Sequence, residues 1–76
     1  MGIYEFNILS DHDKYDIVFT MAQFVDVVTE QQTRYALYSL SLFWVEVEYY
    51  APTNRITGIS SFVSGDKLSR YSQMND

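Results

Sequence analysis

The densest set of reactive side chains in the chain is Asp11-His12-Asp13-Lys14-Tyr15-Asp16. His12 is the single histidine, and Asp16 follows it by one helical turn. Such a pair can serve as a general base and the carboxylate that orients it, provided both face a substrate in a site that tunes their pKa. On a solvated helix face the same residues do something simpler: they cap the helix and complement its dipole. The run also begins like a calcium loop at Asp11-x-Asp13. Its sixth position is Asp16 where that loop needs glycine, and its twelfth is Ala22 where it needs glutamate. The calcium reading fails.

Other chemistries find fewer parts. The chain has no cysteine, no serine in a glycine-flanked elbow, and only His12 to complete a triad. Gly2, Gly58 and Gly65 are isolated, so no glycine-rich loop can cradle a phosphate; Gly58, inside the last strand, marks a bulge or space for a neighbouring aromatic ring. Glu46 and Glu48 form a second carboxylate pair, spaced by about 7 Å along a strand. With Asp26 they could build an acidic surface, although such residues are ordinary on an outward sheet face. These residues lead to the expectation of a non-enzymatic protein with no cofactor and no metal site.

Positioning these side chains requires a small set of elements. Residues 3–9 alternate loosely and read as an edge strand or an extended arm, within a region 1–9. Ser10 then offers a helix cap with Asp13 three residues on, and Tyr15, Val18, Phe19 and Ala22 recur on one face of a 3.6-residue period. A helix over about 11–22 follows. From Phe24 the period changes to two and β-branched and aromatic residues dominate, giving strands over about 24–29, 34–40, 43–50 and 55–63. Glu30–Thr33, Ser41-Leu42 and Ala51-Pro52-Thr53-Asn54 supply the turns. Short connections make the strands antiparallel neighbours. Ser64-Gly65-Asp66 opens a short C-terminal helix over about 66–72, with Leu68 and Tyr71 on one side, and residues 72–76 read as a frayed tail. The fold class is α+β: an N-terminal helix on one face of a four-stranded antiparallel meander, in a single domain spanning 1–76.

Pairing the strands through their turns divides the side chains between two faces. Val25, Val27, Ala36, Tyr38, Leu40, Phe43, Val45, Val47, Tyr49, Ile56 and Phe62 form an apolar face that receives the helix stripe. The other face mixes charges such as Glu46, Glu48 and Asp26 with Phe24, Tyr35, Leu37, Trp44 and Ile59. Exposed apolar patches beyond a few hundred Å² mark interfaces. The expected interface is therefore Phe24, Tyr35, Leu37, Trp44, Glu46, Glu48 and Ile59, unless the C-terminal helix or N-terminal arm covers that face.

Composition fits a protein partner. A chain of 76 residues buries only about 60% of its unfolded surface, and without cysteine it has no disulfide to help. With 47% hydrophobic and 17% aromatic residues, good packing or a homodimer is the available route. Net charge is −5, and Lys14, Arg34, Arg55, Lys67 and Arg70 are scattered, which argues against nucleic acid and against an anionic membrane surface. Met1–Phe6 fits neither a signal peptide nor a myristoylation site. The longest uncharged run, Tyr35–Val45, has 11 residues, far short of the roughly 20 that span a bilayer. A cytoplasmic location is expected.

Phe43-Trp44-Val45-Glu46-Val47-Glu48-Tyr49-Tyr50, with Asn54-Arg55-Ile56 and Ser61-Phe62, resembles small uncharacterised bacterial α+β proteins of similar length. The resemblance covers most of the chain and implies a helix, a Val-Glu-Val strand and a following hairpin strand; it brings no activity, ligand or site residue. The leading expectation is a small acidic protein-interaction module, self-associating or regulating a partner through the outer sheet face. The alternative is a small-ligand domain with an aromatic-lined pocket between helix and sheet.

Overall fold

A computed structural model describes residues 1–71. Its elements run α1 (Ile3–Asn7), α2 (Asp11–Met21), β1 (Gln23–Glu30), β2 (Thr33–Leu40), β3 (Phe43–Tyr50), β4 (Arg55–Phe62) and a 3-10 helix, η1 (Asp66–Arg70). The four strands form one antiparallel sheet in the order β1-β2-β3-β4. The architecture is α+β, with the N-terminal helices on one side of a meander. The tail at 72–76, and the last residue of the helix expected over 66–72, lie outside the described residues. Among the described residues no helix is long and apolar enough to cross a membrane.

Residues 3–9 are not an arm or an edge strand. Ile3–Asn7 is helical because Glu5 reaches back to accept the Gly2 N–H at 3.1 Å, supplying a partner for an otherwise orphan donor. This turn brings Phe6 into the core, where its ring meets Phe43 at 5.5 Å, and Asn7 meets Ser61 of β4 by a side-chain hydrogen bond.

Helix α2 begins as its cap residues dictate. The Ser10 hydroxyl accepts the Asp13 N–H at 3.2 Å, and Asp11 and Asp13 occupy the first turn. Ser10→Ala should lower stability by about 1 kcal/mol, measured by urea unfolding; an unchanged midpoint would show that packing alone sets the helix start. The buried side of α2 is narrower than its spacing suggests. Val18 is fully buried, with Ile17 and Ala22 packed beside it, while Phe19 remains half-exposed. Val18 joins Phe6, Leu40, Phe43, Val45 and Val47 in the central cluster. Each large side chain removed from water contributes about 1.5–3 kcal/mol, the main offset to chain entropy in so short a protein.

The hairpin turns set the strand register. Gln31, Ser41 and Asn54 each adopt positive φ near 58°, the left-handed conformation of tight turns. Next to the turns the pairs are Glu30↔Thr33, Leu40↔Phe43 and Tyr50↔Arg55, with Thr29↔Arg34 one step further along. Two irregularities then shift the register, one between Phe24 and Asp26 and one opposite Glu48/Tyr49, where β4 carries Thr57 as an extra residue. A bulge places two residues against one, so the face of every side chain beyond it is exchanged. Phe24 therefore pairs with Tyr38 and Ile59 with Val47, both on the helix side. Phe62 pairs with Trp44 on the outer side, so it is not part of the helix-covered core.

Candidate functional site

The outer face of the sheet carries Tyr35, Leu37, Trp44, Glu46, Glu48 and Phe62, as their pairing partners require. The chain closes over its centre with its own C-terminal segment. After β4, Gly65 takes φ 137°, open only to glycine without strain, and η1 returns across the sheet. The Arg70 guanidinium lies 3.9 Å from the centre of the Tyr35 ring, and its Nη1 donates to Glu46 Oε2 at 3.3 Å. The Tyr71 hydroxyl donates to the same oxygen at 2.7 Å. Tyr71 and Leu37 are both 0% exposed, and Glu46 is only 4% exposed. A buried carboxylate is costly unless it is paired and hydrogen-bonded, and Arg70 and Tyr71 supply that pairing. The Tyr71 phenol is pushed far above its ordinary ionisation range, first by burial and then by the hydrogen bond and charge of Glu46.

Of the seven residues expected at an interface, Tyr35, Leu37, Trp44, Glu46 and Glu48 do share the outer face. Leu37 and Glu46 are sealed there by the chain itself, so neither presents a free surface, and Tyr35, Trp44 and Glu48 are half-buried. Ile59 packs against the helix-side cluster. Phe24 is 55% exposed, but on the helix side. The surplus of apolar side chains on the outer face is real; η1 and Tyr71 are what it meets.

Beside them, Glu46, Glu48, Gly58, Ile59 and Ser60 border a niche of about 220 Å³. A Cβ on Gly58 would come 3.5 Å from Glu48 Oε2, so the neighbour of this glycine is a carboxylate and not an aromatic ring. The niche lies outside the helix–sheet layer, has no aromatic lining, and falls short of the roughly 300 Å³ of typical small-molecule sites. It is not the aromatic pocket expected between helix and sheet. His12 and Asp16 are exposed on α2. Among the described residues no group of three or more His, Cys, Asp or Glu side chains could hold a metal ion.

No known protein family, curated protein or solved structure matches this chain. The resemblance drawn from the Phe43–Tyr50 strand rests on its residues alone.

A second surface lies where α2 runs into β1. Phe19 and Phe24 both meet the Tyr38 ring edge-on, at 5.9 and 5.7 Å, and Tyr15 stacks on Phe19 at 6.3 Å. Phe19 is 47% exposed, and Met21 and Val27 are exposed as well. Aromatic residues half in water around one shared ring are the composition found at interface centres. Phe24 is among the residues the sequence places at an interface, whereas the helical spacing of Phe19 places it wholly in the core stripe. No signal in the spacing distinguishes a covered helix position from one at the margin of the sheet.

This patch borders β1, an edge strand with a neighbour on one side only. Edge strands invite pairing with another chain. Here the irregularity between Phe24 and Asp26 breaks the ladder, and the Asp26 carboxylate accepts the Val27 N–H at 2.8 Å. Both features work against sheet extension, which leaves side-chain contact as the mode of association that β1 supports.

Proposed function

We propose that this chain is a non-enzymatic protein-interaction module that pairs with a second copy of itself through Phe19, Phe24, Met21 and Val27. The observation that carries the reading is the pair of half-exposed phenylalanines packed on the two sides of Tyr38. Charge favours a second copy as the occupant. At net −5, two copies repel wherever acidic surfaces meet. The residues of this patch are all uncharged. Asp11, Asp13 and Asp16 belong to the first half of α2, and Asp26 lies on the opposite face of β1. An isologous contact on this patch therefore buries aromatic area with no charged residue among the four side chains that form it.

Phe24→Asp tests it. The position is 55% exposed, so the new charge stays in water; the variant loses the edge-on contact with Tyr38, worth about 0.5–1.5 kcal/mol, and circular dichroism checks that the fold is kept. The wild type is expected to dimerise in sedimentation equilibrium. The variant should weaken the dimer by about tenfold or more in Kd, the scale of a central interface aromatic. A wild type that stays monomeric at its highest attainable concentration would rule the reading out.

A further inference from the structure

We infer that residues 66–71 form an exchangeable strap, and that the outer sheet face is a docking site that takes this same segment from a second copy of the chain. The site is defined by the occupant already seated on it. It offers an aromatic face at Tyr35 for a guanidinium, one carboxylate oxygen of Glu46 for a guanidinium N–H and a phenol O–H, and a buried place for the Tyr71 ring. These contacts are made by side chains and are indifferent to which copy supplies them.

The strap is weakly tied to its own chain. Its backbone is a five-residue 3-10 helix, with hydrogen bonds at 3.2 Å from Leu68 N–H to Gly65 and from Tyr71 N–H to Leu68. Short 3-10 segments have little stability of their own. What holds it is the outer face. The connection back to β4 is Val63-Ser64-Gly65, all exposed, and a Cβ on Gly65 would meet nothing within 4 Å. Re-extending this hinge costs none of the strap's contacts when the segment lands on a neighbouring copy, which is the condition under which domain exchange is cheap. In the closed form the tether gives the strap an effective concentration in the millimolar range. Exchange therefore appears when the hinge can no longer fold back.

This inference concerns the face opposite the aromatic patch and does not rest on it, so the test is done in the Phe24→Asp background. Deleting Ser64 shortens the hinge by about 3.3–3.6 Å and should convert that chain to a dimer in sedimentation equilibrium and native mass spectrometry. Adding Tyr71→Phe, which keeps the ring and loses the bond to Glu46, should weaken that dimer by about tenfold in Kd with the fold retained by circular dichroism. A folded monomer after the deletion, or a dimer indifferent to Tyr71→Phe, overturns the proposal. If the shortened chain does not fold, full-length Tyr71→Leu, which loses the bond to Glu46 but keeps an apolar filler, is titrated with a fluorescent peptide of residues 66–71. It should bind at least about tenfold more tightly than to the wild type, whose face is occupied at the tether's effective concentration. No binding, or equal binding to both, overturns the proposal.

Discussion

Tyr71→Ala is expected to lower the unfolding free energy by about 3–5 kcal/mol, the cost of truncating a large buried aromatic. The ring is completely buried, and its hydroxyl is one of the donors that satisfy Glu46. Removal leaves a cavity where the buried ring sat and strips a hydrogen bond from a buried carboxylate, and both effects have the same sign. A domain of this size holds roughly 4–11 kcal/mol in all. The substitution should therefore drop the melting temperature by tens of degrees, at about 4–8 °C per kcal/mol, as read by far-UV circular dichroism. Tyr71→Phe separates the two contributions. It keeps the ring and loses only the donor, so about 1–3 kcal/mol should go. An unchanged melting temperature in Tyr71→Ala would mean that η1 rests on the sheet without holding it.

The same residue sets the alkaline limit. In the unfolded chain its phenol ionises near 10, whereas in the folded chain burial, and then the bond to and charge of Glu46, hold the proton to far higher pH. A group whose folded pKa is raised contributes stability that is complete below the unfolded value and is lost as pH climbs beyond it. Stability should therefore fall above about pH 10, and Tyr71→Phe should flatten most of that fall. Some slope remains, because burial also raises Tyr49 and Tyr15.

The parts of this fold legible in the sequence are those governed by local geometry. A two-residue connection at Ser41-Leu42 admits few registers, and the pairs beside the turns follow from it. The bulge in β4 was legible in part, because Gly58, next to the extra residue Thr57, marks an irregularity inside the last strand. The one in β1 was not, because Val25 is a β-branched residue that suits a regular strand as well as a bulge. Each nevertheless exchanges the face of everything beyond it, which moved Phe24 and Ile59 to the helix side and Phe62 away from it. The candidate surface was half legible for a different reason. Counting apolar residues correctly shows that the outer face must meet something. Deciding between Tyr71 of the same chain and a second chain depends on the path of three hinge residues, which no periodicity encodes.

The stretch least legible as structure is where the second large effect falls. Phe6→Ala is expected to cost about 3–5 kcal/mol, although Phe6 sits in a segment whose sequence alternates like an arm. Its ring is buried in the central cluster, packed at a tilt on Phe43, with Lys14 Nζ 5.9 Å above its face. It thereby ties three elements together: α1, α2 and the start of β3. An extended arm would place residues 5 and 7 opposite to 6 and leave Phe6 free to detach, so its truncation would cost little. A helix closed by Glu5 onto Gly2 fixes the ring against the sheet, and truncation leaves a cavity that the surrounding valines cannot fill. The two pictures differ by several kcal/mol in one urea titration. Glu5→Ala supplies the link between them: losing the carboxylate that accepts the Gly2 N–H should cost about 0.5–1.5 kcal/mol and loosen the turn that presents Phe6. Phe6→Ala and Glu5→Ala combined should then cost less than their sum, because a turn already loosened has less of the ring's packing left to lose.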